Sequence, residues 1–127
     1  MIAPLGAASF SEALRMGSEV YSELRRILKE KYGPTAINIG DEGGFAPPLS
    51  KSRDALSALM KAVKKAGYSD NTIKLALDVA ASSFFSDGKY SIDGKELLPD
   101  ALMDYLAAIV DEYPVISIED PFQEDDF

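Results

Sequence analysis

The chain has 127 residues, with 13 Lys and Arg against 21 Asp and Glu, a net charge of −8, and no Cys, His or Trp. Its 46% hydrophobic content is ordinary for a globular protein, and the length allows one domain with a real core. Without Cys or His the chain excludes disulfides, zinc fingers and Ser-His-Asp catalysis, so a metal here would be a hard cation held by oxygen.

The first residues, Met1 to Ala8, form a short apolar run broken by Pro4 and Gly6. Ser9 with Glu12 three residues later is a capping box and predicts a helix start. Ala13, Leu14, Gly17, Val20, Leu24, Ile27 and Leu28 then follow at helical spacing and predict its inward face, with Gly33-Pro34 as the stop. Residues 33–50, GPTAINIGDEGGFAPPLS, read as a loop. Ser52 is the expected cap of a second helix with Leu56, Leu59, Met60 and Val63 inward, ended by Gly67. Residues 73–81, IKLALDVAA, predict a strand buried on both faces, as in a parallel sheet. Ser86-Asp87-Gly88 and Asp93-Gly94 mark a small hairpin. Pro99 opens a third helix with Leu102, Leu106, Ile109 and Val110 inward. Tyr113-Pro114 closes it, and residues 115–118 make another short buried strand.

Strand, helix, strand at this spacing is a βαβ unit, so the expected class is α/β with parallel strands. No internal repeat or low-complexity tract interrupts the chain. No apolar run approaches the roughly 20 residues of a membrane span, and the start lacks the basic residues of a signal peptide. A soluble, cytoplasmic protein is expected, with no membrane partner. The acidic balance argues against a nucleic-acid partner as well. The basic residues of 15–31 and 51–65 read as solvated helix faces.

Three acids carry the chemical interest. Asp78 ends one apolar strand and Glu119 the next, so in a parallel sheet both carboxylates emerge at the same end. Neighbouring strands lie only about 4.8 Å apart. Like charges that close repel unless a cation or a base lies between them, and oxygen-only ligation suits Mg²⁺. The alternative is that each acid caps its loop or pairs with a Lys. Glu42 lies in GDEGGFAP, where Gly43 and Gly44 permit close backbone approach to a ligand. Beside apolar Phe45 it could act as a general acid with a raised pKa, or the segment could be an ordinary turn. The GK[ST] ending of a phosphate loop is missing.

The segments MIAPLGAASFSEALRMG, NIGDEGGFAP, LALDVAASSFFSDGKYSI and YPVISIEDPFQEDDF, in this order, resemble the enolases, and the resemblance covers residues 1–127. It implies a piece of a TIM-type β/α barrel, about half of the enolase catalytic barrel. A whole barrel needs about 250 residues. On this reading residues 1–127 are a fragment of the C-terminal barrel domain, without the N-terminal domain and the rest of the barrel. The chain begins at the last two residues of the family's QEFMI motif.

The implied reaction is the reversible dehydration of 2-phosphoglycerate to phosphoenolpyruvate, a lyase step of glycolysis and gluconeogenesis, with Mg²⁺ stabilising the enolate. By motif, Glu42 matches the catalytic Glu that protonates the leaving hydroxyl. Asp78 and Glu119 match two Mg²⁺ ligands, and Glu119 also lies at the substrate. The base Lys, the third carboxylate and the phosphate-gripping residues have no counterpart here, so this chain alone is expected to be inactive. The resemblance also implies a homodimeric parent. Ser83, Pro48 and Phe127 stand where the family commonly has Glu, Asn and Trp. A non-catalytic half-barrel that needs a complementary chain is the competing reading. A divergent superfamily member with another substrate fits the loop motifs less well.

Overall fold

Ser9 starts the first helix as its spacing predicts, within a helical unit, Pro4–Ile73. A second unit joins Met1–Ala3 to the chain from Lys74 onward. The computed structural model describes residues 1–126; Phe127 lies outside the described residues.

In the helical unit, α1 spans Phe10–Tyr32. Ser9 Oγ accepts the Glu12 N–H at 3.2 Å, and Glu12 Oε2 accepts the Ala8 N–H at 2.8 Å, one residue before the usual reciprocal target. Gly33, at φ 87°, donates to the Lys29 carbonyl and ends the helix. Met16, Val20, Ile27 and Leu28 are its buried stripe. Leu14, expected inward, is 62% exposed. At 100° per residue it points roughly 200° away from Met16, the residue that leads the buried stripe.

Helix α2 spans Ser52–Lys65 and buries Leu56, Ala62 and Val63, while Leu59 and Met60 are only half-buried. Lys51, rather than Ser52, occupies its cap position and makes no side-chain cap bond. Helices α1 and α2 pack together, and Tyr68 fastens the end of the pair. Its hydroxyl donates to the Glu19 carboxylate, and Arg15 Nη1 donates to Tyr68 at 3.2 Å and to Glu19 at 3.0 Å.

In the second unit, β2 (Lys74–Asp78) and β6 (Val115–Glu119) run parallel, joined through α3 (Pro99–Glu112). The expected βαβ unit is present. The sheet is not wholly parallel, however. A two-residue strand, β1 (Ile2–Ala3), pairs antiparallel with β2, Ile2 opposite Leu75. The order is β1-β2-β6, a small open sheet, so these strands do not close a barrel wall.

The expected burial of β2 on both faces is not met. Leu75 is buried, but Ala76 and Leu77 are only half-buried and Ile116 on β6 is 50% exposed. Three strands with one covering helix shield one face well and the other partly. The strand is also shorter than 73–81, because Ala80 turns into the left-handed region at φ 47°.

The single expected hairpin is a three-stranded meander, β3 (Phe85–Ser86), β4 (Lys89–Ile92) and β5 (Lys95–Leu97). Asp87-Gly88 and Asp93-Gly94 both have positive φ at each central residue, the requirement of a tight right-twisted hairpin. Helix α3 buries Leu102, Leu106 and Ile109, whereas Val110, expected inward, lies on the flank at 42% exposed. Ala81, Tyr90, Leu102 and Leu106 form the buried centre, with Phe84, Phe85, Ile118 and Phe122 packed around it.

Candidate functional site

Asp78 and Glu119 are register partners, each the last residue of its strand. The ladder continues just past them: the Val79 N–H donates to the Glu119 carbonyl at 3.0 Å and the Ala81 N–H to the Asp120 carbonyl at 3.1 Å. The Ala80 N–H donates to Asp78 Oδ1 at 3.1 Å, orienting that carboxylate. Ala80 (φ 47°) and Asp120 (φ 45°) are left-handed non-glycines, so both strand ends turn sharply at the acids. Such residues persist where surrounding contacts over-determine them. Both carboxylates are exposed. As register partners at adjacent strand ends they offer an oxygen-only donor pair.

Among the described residues, no group of three or more acids, His or Cys gathers to hold a metal ion. The pair therefore fits part of a divalent-ion ligand set and not the whole of one. Its donors are hard oxygens, which suits Mg²⁺, an ion that keeps several waters when protein ligands are few.

The segment after Glu119 is anchored from behind. The Tyr90 hydroxyl donates to Asp126 Oδ2 at 3.0 Å and accepts the Gln123 N–H at 3.0 Å. Ser82 Oγ accepts the Glu124 N–H at 3.1 Å. Burial, more than the Asp126 carboxylate, pushes the Tyr90 phenol above its ordinary pKa. Sequence reasoning did not single out Tyr90. The available signal was a Tyr on a strand between two Asp-Gly turns, whose buried hydroxyl must find partners.

Asp78 and Glu119 are register partners within the sheet unit, whereas Glu42 belongs to the helical unit. It sits exposed at the tip of a turn closed by Gly43 N–H to the Gly40 carbonyl at 3.0 Å and Gly40 N–H to the Gly44 carbonyl at 2.9 Å. Ile39 and Phe45 bridge across the base of this turn. The Phe45 ring stacks on Tyr21 at 4.3 Å, and the Tyr21 hydroxyl donates to the Gly43 carbonyl at 2.9 Å. Gly43 at φ 80° supplies a conformation that side chains resist.

Paired acids at the carboxyl ends of adjacent parallel strands define an α/β protein whose candidate site lies where β/α-barrel proteins carry theirs. The family described as "Enolase, C-terminal TIM barrel domain" matches residues 1–127. The chain belongs to this enolase family, a family of lyases. It is 60% identical over its whole length to an enolase of Methanocaldococcus jannaschii. It is 56% identical to one of Methanothrix thermoacetophila and 52% identical to one of Methanococcoides burtonii, again along all of this chain. The chain spans 30% of the length of each of these relatives. Among the described residues no helix is long and apolar enough to cross a membrane.

Proposed function

We propose that residues 1–127 are part of the barrel domain of a longer enolase that reversibly dehydrates 2-phosphoglycerate to phosphoenolpyruvate. The observation that carries this reading is the register pairing of Asp78 with Glu119 at two parallel strand ends. In the proposed roles, Asp78 and Glu119 are two of the carboxylates that hold Mg²⁺, and Glu119 borders the substrate. Bound there, Mg²⁺ supplies positive charge opposite an acidic substrate that becomes more negative as its α-proton leaves. Glu42 delivers a proton to the departing hydroxyl, and the Gly43-Gly44 turn leaves room for close substrate approach. The homodimeric state and cytoplasmic location of the enzyme belong to the same proposal.

An assembly unit that needs a complementary chain is the second reading, favoured by the 50% exposure of Ile116 on β6. Both readings expect the isolated chain to be inactive, and they part on the natural full-length protein. Ultraviolet absorbance of phosphoenolpyruvate follows turnover with 2-phosphoglycerate and excess Mg²⁺. The full-length protein is expected to turn over, and Glu42→Gln to lower kcat by about 10²–10⁴-fold. Residues 1–127 alone are expected to show no turnover. Undiminished kcat in Glu42→Gln would overturn the acid role, and an inert full-length protein would overturn the enzyme reading.

A further inference from the structure

Tyr90 sits at the buried centre of the sheet unit, yet its hydroxyl serves the segment that follows Glu119. The side chain is fully buried and ringed by Phe84, Phe85 and Phe122. A phenol in such a place needs partners for its polar end. It finds them at Gln123 N–H and Asp126 Oδ2, each at 3.0 Å. Ser82, in the turn after β2, grips the same segment through the Glu124 N–H. The segments that follow the two acid-bearing strands are thus tied together behind the carboxylates.

The backbone shows what this tie restrains. Asp120 turns the chain at φ 45°, in the left-handed region that Asp enters more readily than most residues with a side chain. On one side the Ala81 N–H fixes its carbonyl, and on the other Pro121 leaves few free torsions before the residues that Tyr90 holds. The bonds from Tyr90 and Ser82 to residues 123–126, with the Ala81 bond to the Asp120 carbonyl, thus restrain the backbone that leaves Glu119.

We propose that Tyr90 is a positioning residue for the Asp78–Glu119 pair: its hydroxyl fixes residues 123–126 so that Glu119 stays facing Asp78. The inference rests on the divalent-ion reading of that pair. Tyr90 acts through the backbone and touches no ion.

The test is Mg²⁺ binding to the natural full-length chain, measured by calorimetry without substrate. Tyr90→Phe keeps the buried ring and removes the hydroxyl. Its Kd for Mg²⁺ is expected to rise about tenfold, the low end of what partners that orient metal ligands are worth. Ser82→Ala, at an exposed site, is expected to shift the Kd the same way by less. Tyr105→Phe is the control. It removes a hydroxyl that donates to Asp93 Oδ2 at 2.7 Å, a Tyr–Asp bond in the same unit but away from the site segment, and is expected to leave the Kd unchanged. Unchanged affinity in Tyr90→Phe would overturn the proposal, as would equal weakening in Tyr105→Phe. Asp78→Ala separates the two layers. If Mg²⁺ affinity survives it, the divalent-ion reading falls and takes the proposal with it. If Asp78→Ala abolishes binding while Tyr90→Phe does not change it, the positioning role alone falls.

Discussion

The acids of this chain are held in two different ways. Asp78 and Glu119 end hydrogen-bonded strands, and the segments beyond them are anchored on a buried aromatic centre. Glu42 rides on a turn held by a few backbone bonds, one Tyr hydroxyl and one stacked ring pair. A position set by strand register is shared among many contacts, so no single exposed bond decides it. A position set by a turn depends on the few torsions and contacts that shape it, and such segments open at lower free energy than core strands. The strand-end pair and Glu42 thus differ in how they are held as well as in proposed role. That fits ligands that must stay fixed and an acid that must meet a moving group.

The largest expected effect breaks the anchored region. Tyr90→Ala should destabilise the sheet unit by about 3–5 kcal/mol, the usual cost of truncating a buried aromatic. Urea denaturation of the full-length chain, followed by amide exchange in β2 and β6, should show the loss there and leave α1 and α2 protected. A uniform loss would mean that the two units do not open separately.

A smaller effect is expected at the turn. Gly43→Ala meets no atom within 4 Å, so its cost of about 1–2 kcal/mol would come from the φ of 80° alone. It should appear as faster exchange at residues 39–45 with strand protection unchanged. Undisturbed exchange there would show that the turn tolerates another backbone shape.

The smallest effect is one of pH, and only the helical unit shows it on the acid side. In the helical unit the Tyr68 hydroxyl, and after it Arg15, hold the Glu19 carboxyl below its ordinary value of 4.5. The unfolded chain therefore takes up that proton first as pH falls. The contribution is present above pH 4.5 and is lost as pH drops through the lowered folded value. In the sheet unit burial raises Tyr90 above 10.0, so its contribution is present below pH 10.0 and is lost as pH rises through the raised folded value. Tyr68, raised above 10.0 first by its bond to Glu19, adds an alkaline loss in the helical unit. Amide exchange at the two pH extremes should therefore open α1 on the acid side and both α1 and β4 on the alkaline side. Loss of that contrast in Glu19→Gln and Tyr90→Phe would tie it to these groups.

Helix α1 was legible because its limits are local: Ser9 and Glu12 at one end, Gly33 at the other. The paired Asp-Gly turns were equally local, although they signalled one hairpin where two exist. Helical spacing places Leu14 and Val110 inward, but the stripes that pack are fixed by Met16 and Leu102, and an apolar residue off the stripe stays outside. β1 left no pattern to read, since two residues show no alternation and its partner lies far along the chain. At the candidate site, Asp78 and Glu119 stood out because an acid ending an apolar run is visible in the letters themselves. Tyr90 did not, because its partners come from packing between β4 and residues 123–126.

The antiparallel pairing of β1 with β2 has a consequence in time. Met1 and Ala76 exchange backbone hydrogen bonds although they stand 75 residues apart. Everything between them must be made before that bond can form, and closing so long a loop is entropically slow. The intervening helical unit rests on nearer contacts. It can therefore take shape while β1 still waits for β2 to emerge, so β1 settles after the helices that follow it in the chain.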